Sequence, residues 1–376
     1  MCNDAALAAD CALSVKRWDL LRGDRTVMAQ WADLEENASQ PNPFMTSWGL
    51  PPALDAIEGA GAIRLARFVQ NGCLSGVMPI HRQNFYYGRP IPHWQGWKHP
   101  NAFCGAPLVR SGKEHVFWSE LLNWCDNNAQ GALFLHIKDL PKDGALYAAL
   151  RDVAIRDDRP AAIVHHEKRA LLQSDRSPGE YLAKSLTTKK RKELRRQHRR
   201  LGEEGDLQFV RQRGPEELQQ WTRQFLALEN AGWKGAEGSA LACSPATRRI
   251  FTETLAGAAQ AGRLERIALT LDRHPIAMLA NFLTPPGAFS YKTTFDQAYS
   301  RFSPGVLLQL ENLALLEDAS IDWTDSCASA DHPMIDSIWR ERRTVVRVSI
   351  ALGGQTRRLL ARGIFSAEAG ADSLGL

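Results

Sequence analysis

The chain has 376 residues, 44% hydrophobic and 23% charged, with a formal net charge of +4. That composition excludes wholesale disorder, and the length exceeds the roughly 100 to 200 residues that one hydrophobic core commonly organises, so two domains are expected. The charge is uneven: four lysines, five arginines and Glu193 alone give the segment from Lys184 to Arg200 a charge of +8 and leave −4 for the rest, which excludes a general polycation.

Seven cysteines, at positions 2, 11, 73, 104, 125, 243 and 327, are odd in number, scattered and never spaced as CxxC. This argues for a reducing compartment and against a zinc cluster, so no metal is expected. Met1 to Val15 carries Asp4 and Asp10 and no basic stretch before an apolar run, unlike a signal peptide. No apolar run approaches the roughly 20 residues of a membrane span. A cytoplasmic protein with at most peripheral contact to the inner membrane is expected.

In chain order, apolar residues at helical spacing predict helices over Arg25 to Asn37 and Pro51 to Ile57. Ile63 to Val69 and Leu74 to Ile80 flank Gln70-Asn71-Gly72, and Asn-Gly is a strong hairpin signal. Asn84 to Val109, rich in aromatics, Gly and Pro, reads as an irregular wall. A helix over His115 to Asn127, a strand over Leu133 to Ile137, a helix over Gly144 to Ile155 and a strand over Ala161 to Val164 follow. The second half repeats this order. Helices are expected over Gly214 to Ala231 and Pro245 to Ala261, and a hairpin over Arg266 to Leu283 turns at Asp272-Arg273-His274-Pro275. Next come a strand over Phe289 to Phe295, a helix over Gly305 to Leu316, a short strand over Ile321 to Trp323 and a helix over Pro333 to Arg342. Strands over Thr344 to Ala351 and Thr356 to Ala361 end the pattern, before a frayed tail from Ser366 to Leu376. The shared order implies duplication of one α/β unit whose antiparallel, then parallel, sheet is flanked by helices.

The most informative segment is the strand Phe289 to Phe295, its following loop, and Ser303-Pro304-Gly305-Val306-Leu307-Leu308. Ser at the N-cap, Pro at the first helical position and Gly next suit a helix start, with the serine accepting an orphan N–H. Two readings stand: a well-capped buried helix, or a phosphate cradle built from free amides and the helix dipole.

At these residues the chain resembles GNAT acyltransferases, and it is similar to the CelD-like (cellulose biosynthesis) branch, relatives of the FemAB-like ligases that carry two GNAT units in tandem. The resemblance rests on Lys189 to Leu201, Leu228-Glu229 through Trp233-Lys234-Gly235, Pro275-Ile276-Ala277, Tyr291 to Phe295, Ser303 to Leu308 and Ile321-Asp322. It implies an α/β (α+β) fold of tandem GNAT-like units, each a mixed, mostly antiparallel sheet flanked by helices. The expected division is a degenerate unit over 1–174 and an acyltransferase unit over 175–376 with a basic helix over 184–200. It implies acyl-CoA as co-substrate, gripped by Arg301, Ser303, Pro304, Gly305, Val306 and Leu307. The usual pyrophosphate signature is present only as Arg301 to Gly305, because the second glycine position holds Leu307. The corresponding region of the first half, Asn101 to Pro107, has one Gly and no capped helix start; that half is expected to shape the acceptor pocket.

Further candidates follow from chemistry. His332, with an unperturbed pKa near working pH, is either a general base oriented by Asp331 or Asp325, or a loop residue beside a helix cap. Cys327 as an acyl-carrying nucleophile is disfavoured because direct transfer needs none. Glu229 and Trp233 at i, i+4 share a helix face, so Glu229 either holds or deprotonates the acceptor while Trp233 and Lys234 line its pocket, or the segment is an ordinary helix end. Tyr291 and Lys292 alternate on the strand, so one of them faces the cleft, Tyr291 as an acid toward the leaving thiolate or Lys292 toward substrate. The basic run either contacts CoA phosphates, anionic lipid or acidic glycan, or is a solvated face; nucleic acid is disfavoured. The implied function is transfer of an acyl group, other than aminoacyl, to an amine of a cell-envelope precursor, either a sphingoid-type lipid amine or an amino sugar of exopolysaccharide. The alternatives are tRNA-dependent aminoacyl transfer, for which no coiled-coil arm is evident, and a non-catalytic regulatory module.

Overall fold

The computed structural model describes residues 11–57, 60–370 and 375–376; Cys2, Asp4, Asp10 and part of the tail lie outside the described residues. The chain divides into two compact units, one of residues 1–167 with 344–376 and the other of 168–343.

In the first unit, β1 (Cys11–Arg17) leads to α1 (Arg25–Glu36), whose N-cap Asp24 accepts from the amides of Thr26 and Val27. Then come α2 (Pro51–Ala56), β2 (Arg64–Gln70) and β3 (Cys73–Gln83). The β2–β3 hairpin turns at Asn71 and Gly72, with φ of 52° and 75°, the left-handed pair that a two-residue turn requires. β4 (His93–Gly96), β5 (Leu108–Val109), α3 (Glu114–Asn127), β6 (Phe134–Pro141), α4 (Ala145–Arg156) and β7 (Ala161–Leu172) follow. The wall expected over 84–109 thus contains two short strands.

The second unit adds α5 (Pro178–Ser185), α6 (Thr188–Gly202), β8 (Leu207–Arg213), α7 (Leu218–Ala231), α8 (Trp233–Ala236) and α9 (Pro245–Gln260). A hairpin of β9 (Leu264–Leu271) and β10 (His274–Thr284), then β11 (Gly287–Phe295), α10 (Pro304–Glu311), β12 (Trp323–Asp325) and α11 (Pro333–Asp336) complete it. The basic run is divided: Lys184 closes α5, and Thr187 caps a separate α6 by accepting from the Lys190 amide. α11 is one turn long instead of continuing to Arg342, because the Arg340 amide donates to the Tyr181 hydroxyl and Glu341 already begins a strand.

β13 (Glu341–Ala351) and α12 (Gln355–Ala369) carry the chain into the first unit. This departs from the expected 1–174 and 175–376 division, and the cause is strand pairing: Val345 to Ala351 lie antiparallel to β6. The strand expected over Thr356 to Ala361 is helical, and the helix runs through Ser366 to Ala369. Its Ala-, Leu- and Arg-rich sequence favours helix, and Ala361 and Phe365, four apart, bury one face.

Both units repeat one sheet order, β1-β2-β3-β4-β6-β13 in the first and β8-β9-β10-β11-β12-β7 in the second. Each has one parallel pair, β4 with β6 and β11 with β12, amid antiparallel neighbours. Edge strands β1 and β8 escape a hydrophobic-run reading because each breaks its apolar residues with polar ones and neither has a fully buried residue. In the second unit, one sheet face carries Ile267, Leu269 and Leu279 under Leu307 and Leu308 of α10 and Leu201 of α6. The other face meets α7 and α9 through Trp221, Phe225, Phe251, Phe282 and Tyr291, with successive ring centres 4.7 to 6.2 Å apart.

Cys73 is disulfide-bonded, which its scattered spacing does not anticipate and which does not fit a uniformly reduced set of cysteines. Cys11, Cys104, Cys125, Cys243 and Cys327 are free. No helix among the described residues is long and apolar enough to cross a membrane.

Candidate active site

β11 and β12 pair in parallel only over Gly287 to Phe289 against Trp323 to Asp325, and β11 then runs on to Phe295 alone on that side. The sheet therefore opens beside the second half of β11. On its other side β11 pairs with β10, but the register slips: Asn281 faces Ser290 and Ala280 faces Lys292, so Tyr291 is an extra, bulged residue. A bulge resets alternation. Both Tyr291 and Lys292 consequently point to the α7–α9 face, and the Lys292 Nζ lies 5.7 Å from the Tyr291 ring centre. The expectation that only one of them could face the cleft is corrected.

On that face Glu229, in the last turn of α7, is 3% exposed. Its carboxylate accepts from Lys234 Nζ at 2.9 Å and from the Leu241 amide at 2.8 Å. Gly232 ends α7 in an extended conformation before α8 begins, which breaks the i, i+4 relation: Trp233 is 52% exposed and lines no buried pocket with Glu229. Lys292 feels this pair directly. Burial and then the Lys234 charge push its ammonium down to about 8, while Glu229 and Cys327 oppose the shift. Burial, with Cys327 and Glu229, pushes the Tyr291 phenol well up, so Tyr291 keeps its proton. Tyr291 closes the aromatic stack instead of standing half-buried.

The Ser303-Pro304-Gly305 turn lies at the C-terminal end of β11, against Phe295. Ser303 adopts a left-handed conformation (φ 54°), its side chain caps nothing, and its carbonyl accepts from Val306 and Leu307 at 2.9 and 3.1 Å. The expected hydroxyl cap is thus replaced by a backbone turn. A Cβ on Gly305 would come within 3.1 Å of the Phe295 ring and 3.2 Å of Met334 Sδ. Close packing of α10 on β11 and α11 explains the glycine, and with Pro304 lacking an N–H, Gly305 supplies the one first-turn amide not committed to Ser303. Arg301 pairs with Glu204 at 2.8 Å on the surface. These groups fit a single anionic oxygen at the helix start better than a deep pyrophosphate cradle.

The cluster after β12 divides. Asp325 is fully buried; its Oδ2 accepts from Arg169 at 2.8 and 3.1 Å and lies 3.6 Å from Arg343, and its Oδ1 takes the Cys327 amide at 2.9 Å. It orients no histidine. Asp331 is exposed in a left-handed conformation, φ 57°. His332 is the backbone N-cap of α11, on the α10 face, and its buried Nδ1 makes no hydrogen bond among the described residues. His332 and Asp331 are therefore not assembled with Glu229 and Lys292. The Arg169–Asp325–Arg343 cluster carries no sequence signal, since its members lie on β7, β12 and β13. The one available hint to Lys292 was that it is the single charged residue of its strand. Among the described residues no group of three or more His, Cys, Asp or Glu is placed to hold a metal ion.

Residues 188–332 match the family described as acetyltransferase (GNAT) domain. No curated protein matches the chain. Among solved structures it is similar to FemX, with 10% identity over 89% of this chain and 98% of that one and a TM-score of 0.55. It is also similar to a conserved Bacteroides thetaiotaomicron protein of unknown function (9% identity, 86% and 96% covered, TM-score 0.54). A third is L-PGS from Bacillus licheniformis (12% identity, 80% and 89% covered, TM-score 0.50). At such identities the likeness is one of fold. The second unit thus has a GNAT-like fold whose residues 188–332, with the opened β11–β12 pair among them, are similar to an acetyltransferase (GNAT) domain.

Proposed function

We propose that the second unit transfers an acyl group from acyl-CoA to an amine of a cell-envelope precursor, a sphingoid-type lipid amine or an exopolysaccharide amino sugar, as the CelD-like resemblance implies. The observation that carries the chemistry is Lys292, held beside the open edge of β11 with a titration point near 8 and flanked by the Glu229–Lys234 pair. A base titrating near working pH maximises both its free fraction and its proton affinity. Acyl-CoA supplies a thioester carbonyl as electrophile and a thiolate as leaving group. Neutral Lys292 takes a proton from the acceptor's ammonium, the freed amine attacks the carbonyl carbon, a C–N bond forms and the C–S bond breaks, and the second proton that the nitrogen sheds goes to the departing CoA thiolate. Glu229 holds Lys234 in place, and the Lys234 charge keeps Lys292 from binding its proton too tightly. Gly305 and Arg301 offer the helix-start contact for a CoA phosphate.

Calorimetry with acetyl-CoA and long-chain acyl-CoA tests the donor, and mass spectrometry of lipids and polysaccharide from a deletion strain names the product. Binding of a thioester and one missing acylated species are expected. Activity that requires aminoacyl-tRNA and disappears with RNase would replace this reading with aminoacyl transfer. Failure to bind any thioester would favour a regulatory module.

A further inference from the structure

We infer that α6 is a docking face for a bilayer of anionic phospholipid. Leu194 and Leu201, seven residues apart, are its buried anchors. Around the rest of the helix Lys189, Lys192, Arg195, Arg196, Arg199 and Arg200 are exposed. Only two ion pairs touch α6, Lys190 with Glu193 at 3.4 Å and Arg199 with Glu203 at 3.7 Å; the other five exposed cations have no carboxylate within 4 Å among the described residues. The helix's one acid, Glu193, is half-exposed and is paired with Lys190. One helix roughly 22 Å long thus presents a strong excess of positive charge on its outer surface.

The shape beside it distinguishes a lipid surface from a nucleic acid. Along one flank of α6 runs a groove of about 330 Å³ with an apolar floor of Leu194, Phe209, Leu307 and Leu310 and a rim of Arg191, Arg195 and His198, its one acid, Glu311, being paired with Arg211 at 3.4 Å. α6 carries no Phe, Tyr or Trp on which an unpaired base could stack, and its one ring, His198, is already stacked on Phe209 at 5.9 Å. Cations beside an apolar slot match a headgroup phosphate with part of its acyl chain. Polybasic helices gain about fivefold in partitioning per Lys or Arg at an anionic surface, and the attraction falls off within a Debye length. This inference stands apart from the acyl-transfer chemistry, since none of these side chains belongs to the Lys292 site.

The test is co-sedimentation of the full chain with phosphatidylcholine vesicles, alone and with about 30% phosphatidylglycerol, at low salt and at about 0.5 M salt. Binding to the anionic vesicles alone, lost at high salt, is expected. Substituting Lys189, Lys192, Arg196 and Arg200 together by Glu should weaken it by more than about a hundredfold without lowering the melting temperature. The double variant Arg196→Lys with Arg200→Lys, which keeps the charge, should bind as the wild type does. No binding to anionic vesicles at low salt, equal binding to neutral ones, or tighter binding to a tRNA pool than to vesicles would overturn the inference.

Discussion

The two units share a strand order yet differ at the point where each sheet turns parallel. In the second unit β11 outruns β12 and leaves an open edge lined by Lys292, with Glu229 and Lys234 behind it. In the first, β4 is only four residues long and pairs with β6 at Trp94 and Gln95. The segment after β4 folds back over β6: the Gly105 amide donates to the Asp139 carbonyl at 3.0 Å, Lys98 pairs with Asp139 at 2.9 Å, and Asn42 donates to the Ala106 carbonyl. Neighbouring titratable groups are silenced there. Burial drives His136 well below its usual range, lowers His93, and takes His81 down to about 4. One topology therefore holds a filled wedge and an open one, and what separates them is strand length and which side chains fill the gap.

The largest effect should come from Lys292→Met, which removes the base and should lower acyl-CoA-dependent turnover by about 10² to 10⁴. His136→Asn in the closed wedge should leave turnover within about twofold while costing roughly 1–3 kcal/mol through the hydroxyl of Ser349, which it now bonds at 3.0 Å. Comparable losses in both would erase the distinction between the units. Lys292 also sets a pH dependence of stability. Its native titration point, about 8, lies below its ordinary 10.5, so burying its charge is unfavourable below pH 8 and ceases to be so as pH rises toward 10.5. Urea titrations should find Lys292→Met more stable than wild type by up to about 3 kcal/mol near pH 7, with the gap closing above pH 8.

Next in size, Glu229→Gln leaves Lys234 partly buried without its carboxylate and should cost about 3–5 kcal/mol in chemical denaturation. In whatever enzyme remains folded, the rising limb of activity should move below pH 8, because Glu229 is one of the groups holding the Lys292 proton. Gly305→Ala should cost about 1–3 kcal/mol through contact with Phe295 and Met334, whereas Ser303→Ala, which removes no cap, should stay within about 0.5 kcal/mol. A stable Gly305→Ala variant that has lost thioester binding would instead assign the glycine to the ligand. The smallest effect is expected of Arg273→Gly, which relieves a left-handed residue (φ 66°) in the β9–β10 turn and should shift the melting temperature by a degree or two.

Local chemistry made much of the fold legible. Asn71-Gly72 announced its hairpin, the amphipathic runs announced α1, α3, α4, α7 and α9, and the order of elements announced a duplicated sheet. Features that depend on long-range pairing were not visible. The bulge at Tyr291 exists only through its register with Asn281 and Ala280 on β10, so strict alternation misassigned the face of one neighbour. Asp325 looked free to orient His332 because Arg169, 156 residues away, leaves no trace near it in sequence. Trp233 was assigned with Glu229 by helical spacing, which Gly232 interrupts. The C-terminal return to the first unit was hidden for the same reason, since it rests on β13 finding β6.

The most direct measurement is the pH–rate profile of CoA release from acyl-CoA with an envelope amine extract as acceptor, for wild type and Lys292→Met. The expected result is a wild-type rate that climbs with an inflection near pH 8 and a variant that is at least about a hundredfold slower with that inflection gone. The same inflection in both proteins, with comparable rates, would contradict the placement of the reaction at Lys292.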